Sequence, residues 1–411
     1  MSESLKVLVA SINFAPDHAG IGIYSTDFSV YLVEKGHQVT MVTGFPYYPQ
    51  WEKRKSDSAR LWAEDSHRGV RVLRGYLYVP RKPSALKRVW HEVTYSFFAA
   101  LNFLKAGRPD VIVIFTPPFF LGLVAVVAAK IWRRPLVINI QDLPLDAAMA
   151  LGMVKVGLAT RLMLKLEGWI YRQATQVVTI SGSMLEKVCT KGVNRARAEL
   201  VPNWIDVAEH SQPVAKTNFR SHHPQTAGKL IVAYAGNIGV KQGVDILVRL
   251  AQSMASDSRF HFFVVGDGSD RARLMAFAEE LGVRNLTFLP FLEPKAYREL
   301  LADVDIIFVA QRGGAGDNFF PSKLLGLLCQ EKALLVAADA DSELAIAILA
   351  GGFGLISPYE DLATLQRNLE RYASGEVSLE ASGKKGLTAV RSFDRKSILE
   401  AWEASIRKLK N

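Results

Sequence analysis

The sequence contains little cysteine and no basic leader segment. Its 411 residues include two cysteines, Cys189 and Cys329, which excludes a disulfide framework and favours a reducing compartment. The first residues, MSESLKVLVASINF, carry Glu3 and have no basic stretch before their apolar run, so they do not match a secretory signal peptide. We therefore expect a cytoplasmic protein.

Common catalytic and metal-binding motifs are missing as well. The chain has no His-Glu-x-x-His, no cysteine pair of a zinc site, no Gly-x-Ser-x-Gly and no P-loop. Asp303-Val-Asp305 and Asp339-Ala-Asp341 match a short pattern that some transferases use for a divalent metal. Aspartate is also common in turns, and the first pair lies between a helical pattern and a strand pattern. We therefore expect neither a metal ion nor a cofactor.

One apolar run is nearly long enough to cross a membrane. Val111 to Ala129 holds no charge over 19 positions, and roughly 20 apolar residues are needed to span a bilayer. Pro117 and Pro118 interrupt the run near its middle, and β-branched residues dominate its first part. This pattern favours a buried strand, a turn and a buried helix over a transmembrane span.

The excess positive charge is confined to the first half of the chain. The formal net charge is +10, from 50 basic and 40 acidic side chains. Residues 1–205 hold 26 basic and 15 acidic side chains, a net +11, whereas residues 206–411 hold 24 and 25, a net −1. A basic total is typical of proteins that bind nucleic acid or anionic membranes. Its distribution assigns any such role to the first half.

Strand-like apolar runs alternate with helix-length amphipathic segments, which predicts parallel sheets covered by helices. The predicted strands of the first half are Lys6–Ile12, Gln38–Thr43, Val70–Tyr76, Val111–Phe115, Leu136–Ile140 and Gln176–Ile180. Those of the second half are Leu230–Ala235, His261–Val265, Leu286–Phe288, Ile306–Ala310 and Ala333–Ala337. Each set is enough for one doubly wound sheet, so the fold class is α/β with two such domains.

A polar stretch separates the two sets of strands. Val207–Gly228 contains two prolines and has no periodicity, which is typical of an interdomain linker. We predict a first domain over 1–206, a linker over 207–228 and a second domain over 229–393. The last segment, 394–411, has helical spacing and either packs locally or crosses back to the first domain.

Two places in the first half combine glycine or acidic residues with a strand end. Gly20 and Gly22 lie between the first strand and a helical pattern, where backbone N–H groups can face a phosphate or a sugar, although an ordinary tight turn has the same spacing. Asp142 and Asp146 follow the fifth strand, where open α/β sheets bind ligands, so they are candidates for acceptor binding or acid–base chemistry. Asp146 equally fits a helix cap.

Three glycine-containing loops follow strands in the second half. Gly236-Asn237 ends one strand, and Lys241 follows close enough to reach a phosphate, although a solvent-facing lysine would fit the same pattern. Gly266-Asp267-Gly268 repeats the arrangement after the next strand. A third loop, Gln311 to Pro321, precedes a helix that starts at Ser322. Three such loops at one sheet edge indicate a ligand site.

Together these motifs resemble the family 4 glycosyltransferases of the GT-B fold, in the group that builds bacterial exopolysaccharides and O-antigens of the colanic-acid type. The segments that carry the resemblance are NFAPDHAGIGIYSTDFSVYLVEKGHQVTMVTGFPYYP, FTPPFFLGL, NIQDLPLDAAMALG, YAGNIGVKQGVDIL, VVGDGSD and FPSKLLGLL. The resemblance covers nearly the whole chain. It implies two Rossmann-like domains that face a central cleft.

The same resemblance implies a retaining, metal-independent transfer of a sugar from a nucleotide diphosphate sugar to a lipid-linked saccharide acceptor. It implies catalytic roles for Asp142, which matches a polar position next to the bond that breaks, and for Lys241. Without a metal, a cation such as Lys241 must stabilise the departing diphosphate. The residues that it places around the nucleotide sugar are Gly20, Gly22, Gly236, Asn237, Lys241, Asp267, Phe291, Asn318, Ser322 and Lys323.

The chain departs from the family pattern at several positions. The family usually carries two Glu residues separated by seven others, and here Asn318 and Gly326 occupy those positions. The second Glu normally binds the ribose, so another group must do so here or nucleotide binding is weaker. Asn237 replaces a frequent phosphate-binding Arg, and Gln141 replaces a frequent His beside Asp142.

Basic and aromatic residues are interleaved in the first half, which is typical of a surface that lies on anionic lipid. Pro80 to Pro135 contains two acidic residues, Glu92 and Asp110, against nine basic ones. The nine are Arg81, Lys82, Lys87, Arg88, Lys105, Arg108, Lys130, Arg133 and Arg134, and the aromatic residues among them are Trp90, Tyr95, Phe97, Phe98 and Phe103. Met153 to Tyr171 is a second candidate, and both segments also fit amphipathic helices packed on a sheet.

We therefore expect a peripheral protein on the cytoplasmic face of the inner membrane. No nucleic-acid-binding motif is present, so nucleic acid is not an expected partner. Two other functions stay open: a catalytically degenerate binding partner of a polysaccharide assembly, and a sugar-nucleotide epimerase on the same fold. Relatives with this amino-terminal motif often handle fucose or N-acetylfucosamine, which favours such a donor. The base (uracil or guanine), the acceptor and the oligomeric state stay undetermined.

Overall fold

The protein consists of two compact units. The first is Met1–Asn203 together with Lys396–Asn411, and the second is Trp204–Arg395. The computed structural model describes residues 3–17, 20–48, 50–82, 84–150, 157–212, 217–312 and 322–410.

The first unit is built on an eight-stranded sheet with the order β3-β4-β2-β1-β5-β6-β7-β8. Its strands are parallel except for β3, which pairs antiparallel with β4. The strands are β1 Lys6–Ala10, β2 Gln38–Gly44, β3 Trp62–His67, β4 Val70–Gly75, β5 Val111–Thr116, β6 Leu136–Ile140, β7 Gln176–Thr179 and β8 Ala198–Leu200. The helices are α1 Ile21–Glu34, α2 Ala85–Ala106, α3 Phe119–Trp132, α4 Pro144–Ala150, α5 Leu158–Gln173 and α6 Gly182–Thr190.

The second unit is built on a six-stranded parallel sheet with the order β11-β10-β9-β12-β13-β14. The strands are β9 Leu230–Ala235, β10 Phe260–Val265, β11 Leu286–Leu289, β12 Ile306–Ala310, β13 Ala333–Ala337 and β14 Gly354–Ser357. The helices are α7 Val207–His210, α8 Phe219–His222, α9 Asp245–Ser253, α10 Arg271–Glu280, α11 Pro294–Asp303, α12 Ser322–Leu328, α13 Glu343–Gly351, α14 Leu362–Ala373 and α15 Leu379–Val390. Helix α16, Arg395–Lys408, ends the chain. Both sheets confirm the predicted α/β class with two doubly wound domains.

The long apolar run is a strand and a helix. Val111–Thr116 forms the fully buried β5, and Phe119–Trp132 forms α3, whose inward face is also buried. The prolines lie between them, as the sequence predicts. Among the described residues, no helix is both long enough and apolar enough to cross a bilayer.

The stretch that the sequence assigns to a linker contributes to the second unit. Phe219 is buried in the core of that unit, where its ring lies edge-on 5.2 Å from the ring of Phe263. Arg220 donates hydrogen bonds to the carboxylate of Asp305 and to the carbonyl of Asp303. The compact units divide between residues 203 and 204 and again between 395 and 396. Through their hydrogen bonds with Arg220, Asp303 and Asp305 anchor α8, so the first Asp-x-Asp pair has a structural role.

Helix α16 packs on the first unit. Trp402 is 0% exposed and stacks on Phe28, with ring centroids 4.1 Å apart, and its ring is also edge-on to Phe115. Next to it, Glu403 accepts a hydrogen bond from the Nε2–H of His37 at 3.2 Å, because the Nδ1 atom of His37 already accepts one from the Leu5 N–H. The last helix thereby closes the core of the unit that contains the amino terminus.

Replacing Trp402 should destabilise the first unit. Trp402→Ala leaves a large cavity between α16 and Phe28, so we expect the free energy of unfolding to fall by about 3–5 kcal/mol. Urea-induced unfolding followed by circular dichroism measures this change. Trp90→Ala is the matched control, because Trp90 is exposed on α2, and its change should stay within about 0.5 kcal/mol. Equal stability of the two variants would contradict this role of α16.

Candidate functional site

Each sheet has one point at which the strand order reverses direction. In the first unit this switch point lies between β1 and β5, and in the second it lies between β9 and β12. Ligands of open α/β sheets bind outside the carboxyl ends of the strands at such a point. A ligand site is therefore expected at the loops that follow these four strands.

In the second unit, the loops after β9 and β10 fit together only because the loop after β10 has glycine at two positions. A Cβ atom on Gly266 would lie 1.9 Å from the carbonyl oxygen of Gly236, and one on Gly268 would lie 2.2 Å from that of Ile238. The Ile238 N–H donates to the carbonyl of Asp267 at 2.8 Å. Two predicted site positions, Gly236 and Asp267, thus belong to one interlocked pair of loops beside the switch point.

The turn that carries Lys241 is held in place by a hydrogen bond from Tyr359. It is a 3-10 turn, Val240–Gln242, followed by Gly243 in the left-handed conformation at φ +62°. The Tyr359 hydroxyl donates to the Gly243 carbonyl or to the carboxylate of Asp245, at 3.2 and 3.0 Å. The backbone of Lys241 is therefore placed directly after β9, while its side chain lies outside the described part of the chain.

The other predicted positions of the second unit are spread along its carboxyl edge. Asn237 and Asp267 are exposed, and the Asp267 carboxylate accepts from the Gly268 N–H at 2.8 Å. Phe291 is strongly exposed just beyond β11, so its ring face is accessible. Asn318 and the side chains of Ser322 and Lys323 lie outside the described residues, although α12 does begin at Ser322.

Two residues just beyond β12, Gln311 and Arg312, lie at the same switch point and were not predicted individually. Gln311 is 6% exposed, and within the described structure neither Nε2 nor Oε1 of its side chain has a hydrogen-bond partner. A buried amide without partners costs roughly 1–3 kcal/mol, so a ligand that bonds to it would recover that cost. Arg312 is exposed, and its charge contributes, after the hydrogen bonds from Arg273, to the lowered pKa of Asp270.

In the first unit, both predicted glycines have a structural reason. Gly20 is the residue before α1 and has φ +59°, which disfavours residues with a Cβ. A Cβ on Gly22 would lie 3.2 Å from the Cβ of Asn13 and 3.3 Å from the Asp17 carbonyl oxygen. The start of α1 is thereby held close against the loop after β1.

That loop belongs to a buried hydrogen-bonded network that sequence reasoning missed. The Asn13 amide donates to the Asp17 carboxylate at 2.9 Å and is also bonded to the Tyr47 hydroxyl. Tyr47 donates to Nε2 of His91 at 3.0 Å, while Nδ1–H of His91 donates to the Tyr78 carbonyl. Burial raises the pKa of Asp17 and lowers the pKa of His91. The network holds a neutral imidazole between the loops that follow β2 and β4.

The predicted catalytic residue Asp142 lies just beyond β6. Its Oδ1 accepts from the Leu143 N–H at 2.8 Å, and the residue is half-buried. Gln141 donates to the Oδ1 of Asn139 at 2.7 Å, and Asn139 is fully buried. Gln141 is therefore held by Asn139, and Asp142 is held by the backbone of its own loop.

Asp146 is neither a helix cap nor a free acid. Helix α4 begins at Pro144, and the Asp146 carboxylate binds Nζ of Lys191 at 2.5 Å. Lys191 also binds Glu167, which in turn accepts from the Tyr171 hydroxyl at 3.1 Å. This buried cluster attaches the helix after Asp142 to the rest of the unit. Among the residues that the structure describes, no group of three or more His, Cys, Asp or Glu side chains could hold a metal ion.

Comparison with known proteins places this architecture in a family. Residues 19–204 match the model of a glycosyl transferase 4-like domain, and residues 215–340 match that of glycosyl transferases group 1. The chain is 34% identical over 348 residues to the putative colanic acid biosynthesis glycosyl transferase WcaI of Escherichia coli K12, which covers 83% of this chain and 85% of that protein. It is 23% identical over 310 residues, 74% of this chain and 76% of that protein, to the probable glycosyltransferase WbjE of Pseudomonas aeruginosa.

Solved structures share the whole architecture. Sucrose-phosphate synthase from Thermosynechococcus elongatus has a TM-score of 0.76 at 18% identity, with 98% of each chain covered. Anabaena HepE, solved with UDP and glucose, has a TM-score of 0.70 at 14% identity, with 98% of this chain and 99% of that one covered. Fold and loops together define a protein of two Rossmann-like domains of the GT-B type. The chain belongs to the family 4 glycosyltransferases, and it is a sugar-transferring enzyme.

Proposed function

We propose that this enzyme transfers a sugar, with retention of anomeric configuration and without a metal, from a nucleoside diphosphate sugar to a lipid-linked saccharide. The setting is the biosynthesis of a bacterial surface polysaccharide, and the favoured sugar is of the fucose or N-acetylfucosamine type. The similarity to a relative named for colanic acid biosynthesis supports this setting. The observation that carries the donor assignment is the interlocked pair of glycine loops at the β9–β12 switch point.

The donor contacts follow from the positions of the second unit. The backbone around Gly236 faces the diphosphate, and Lys241 and Arg312 supply positive charge. Arg312 replaces the charge of the phosphate-binding Arg that many family members have at the position of Asn237. Gln311 binds a hydroxyl group of the ribose or of the transferred sugar, because a carboxamide can both donate and accept hydrogen bonds. Phe291 stacks on the base.

The reaction itself needs few protein groups. The bond from the sugar C1 to the diphosphate oxygen breaks while a bond from C1 to the acceptor oxygen forms, and the acceptor hydroxyl loses its proton. Negative charge therefore grows on the leaving diphosphate, and cations and backbone N–H groups stabilise it in the absence of a metal. Asp142 binds the acceptor hydroxyl and takes up its proton.

The acceptor is reached at an anionic membrane. The net +11 of residues 1–205 supports this, since polybasic segments are attracted to anionic lipid by about 1 kcal/mol per charge near the surface. We place the enzyme on the cytoplasmic face of the inner membrane, as a peripheral protein.

A melting-temperature screen over nucleoside diphosphates, followed by a transfer assay, tests the donor assignment. We expect UDP or GDP to raise the melting temperature, and transfer to keep the anomeric configuration in NMR spectra of the product. Gln311→Leu should weaken nucleotide-sugar binding by roughly tenfold without loss of fold. A protein that binds no nucleotide would instead be a non-catalytic partner, and one that changes the sugar without an acceptor would be an epimerase.

A further inference from the structure

Helix α2 is apolar on two opposite faces, and one of them is exposed. Tyr95, Ala99 and Phe103 are buried against the sheet. The opposite face carries an apolar stripe along the whole helix, at spacings of three, four and seven residues that place its members on one line. The exposed members are Leu86, Trp90, Phe97, Leu101 and Leu104. This corrects the sequence prediction, in which Tyr95 and Phe103 also belonged to the surface.

The exposed stripe continues onto the neighbouring helix. Leu104 of α2 is 74% exposed, and Ile131 of α3 is 72% exposed. Between the carboxyl-terminal part of α2 and most of α3 lies an open groove of about 400 Å³. All ten residues that line it are apolar, so the groove favours hydrocarbon over any polar ligand. Leucines exposed this strongly around such a groove mark an interaction site.

Positive charge surrounds this apolar face, while the two acidic groups of the segment Pro80 to Pro135 are bound to backbone N–H groups. The Glu92 carboxylate accepts from the Phe119 N–H at 2.9 Å, and Asp110 accepts from the Lys6 N–H at 2.8 Å. The basic residues at the carboxyl ends of α2 and α3 are exposed, as are those before and at the start of α2. They are Arg108, Lys130 and Arg133 at one end and Arg81, Lys82, Lys87 and Arg88 at the other.

We propose that this α2–α3 face inserts into an anionic bilayer, with its exposed leucines among the acyl chains and its groove filled by lipid hydrocarbon. An apolar centre with a cationic rim matches the layering of hydrocarbon and phosphate in a leaflet. A second copy of the chain fits less well, because a symmetric contact would bring the two cationic rims together. The inference rests on the proposed membrane-bound acceptor and adds the surface that reaches it.

Cosedimentation with vesicles of 70% phosphatidylcholine and 30% phosphatidylglycerol tests the proposal. The variant is Leu104→Glu combined with Ile131→Glu, and we expect its partitioning to fall by roughly tenfold or more. The matched control is Ile346→Glu with Leu349→Glu, which alters two exposed apolar residues of α13 in the other unit and should bind like wild type. Both variants should keep the wild-type melting temperature and its nucleotide-induced shift.

Fluorescence distinguishes insertion from surface adhesion. Lipids brominated on the acyl chain should quench Trp90, and Trp90→Phe should remove that part of the quenching. Three results would each overturn the proposal. They are vesicle binding by the double glutamate variant at the wild-type level, absence of Trp90 quenching, and a dimer of the wild type that the double variant abolishes. We expect the double glutamate variant to keep donor binding and to keep transfer to a water-soluble acceptor. If the wild type itself neither binds a donor nor transfers a sugar, the proposed function is contradicted and not the membrane surface.

Discussion

Lys241→Ala should lower kcat by about a hundred- to a thousandfold, the cost of removing one stabilising group from a developing charge. The turn Val240–Gln242 belongs to the loop after β9, at the switch point. A lysine there is a compact charge that suits a diphosphate. Because the charge on the leaving group grows during the reaction, kcat should fall more than KM rises.

The same strand provides the control for this prediction. Lys229 lies just before the amino end of β9, whereas Lys241 lies beyond its carboxyl end. Lys229→Ala removes the same charge next to the opposite end of the same strand and should leave kcat within twofold. Steady-state kinetics with a nucleoside diphosphate sugar measure both variants. If Lys241→Ala turns over as fast as wild type, Lys241 does not contact the diphosphate.

The interior strands were predictable, whereas the strands at three sheet edges were not. β5 and β10 are buried on both faces and read as continuous apolar runs. The missed strands, β3, β8 and β14, each lie at the edge of a sheet. β3 is polar and exposed, and its side chains are held across the hairpin by ion pairs, such as Asp65 with Arg74 at 2.7 Å. Edge strands bury little apolar surface, so their sequences carry no strong pattern.

The glycines of the site were also predictable, because a strand followed by glycine and then a helix is a local pattern. Gly236 and Gly266 illustrate this, although their contact across two loops appears only in the structure. The Gln311 side chain, which has no hydrogen-bond partner among the described residues, and the link from Asn13 through Tyr47 to His91 both depend on which strands become neighbours. No spacing in a single sequence specifies those neighbours.

Charge and aromatic composition located the basic half of the chain but not its exposed face. Tyr95 and Phe103 are aromatic residues of α2, yet both are buried. The residues that are exposed include Leu101 and Leu104, which look like core residues in the sequence. Because α2 has two apolar faces, its sequence alone does not specify which face packs against the sheet. Only its position on the sheet decides that.

Asp142→Asn should reduce transfer by a hundredfold or more, within the range of about 10²–10⁴ attributed to a positioned acid or base. The substitution is nearly isosteric, and the asparagine carbonyl can still accept the hydrogen bond that Oδ1 of Asp142 accepts from the Leu143 N–H. The loop should therefore keep its conformation while the carboxylate charge is lost. Nucleotide binding, measured by the melting-temperature shift, should match the wild type.

Asp146→Asn separates a chemical role of Asp142 from a structural one. Asp146 is four residues away and binds Lys191 at 2.5 Å within the buried cluster. Its replacement weakens that cluster, so we expect a loss of about 1–3 kcal/mol in the free energy of unfolding, with smaller effects on transfer. If Asp142→Asn instead lowers stability and nucleotide binding together, Asp142 maintains the fold of its loop. Normal transfer by Asp142→Asn would remove it from the reaction altogether.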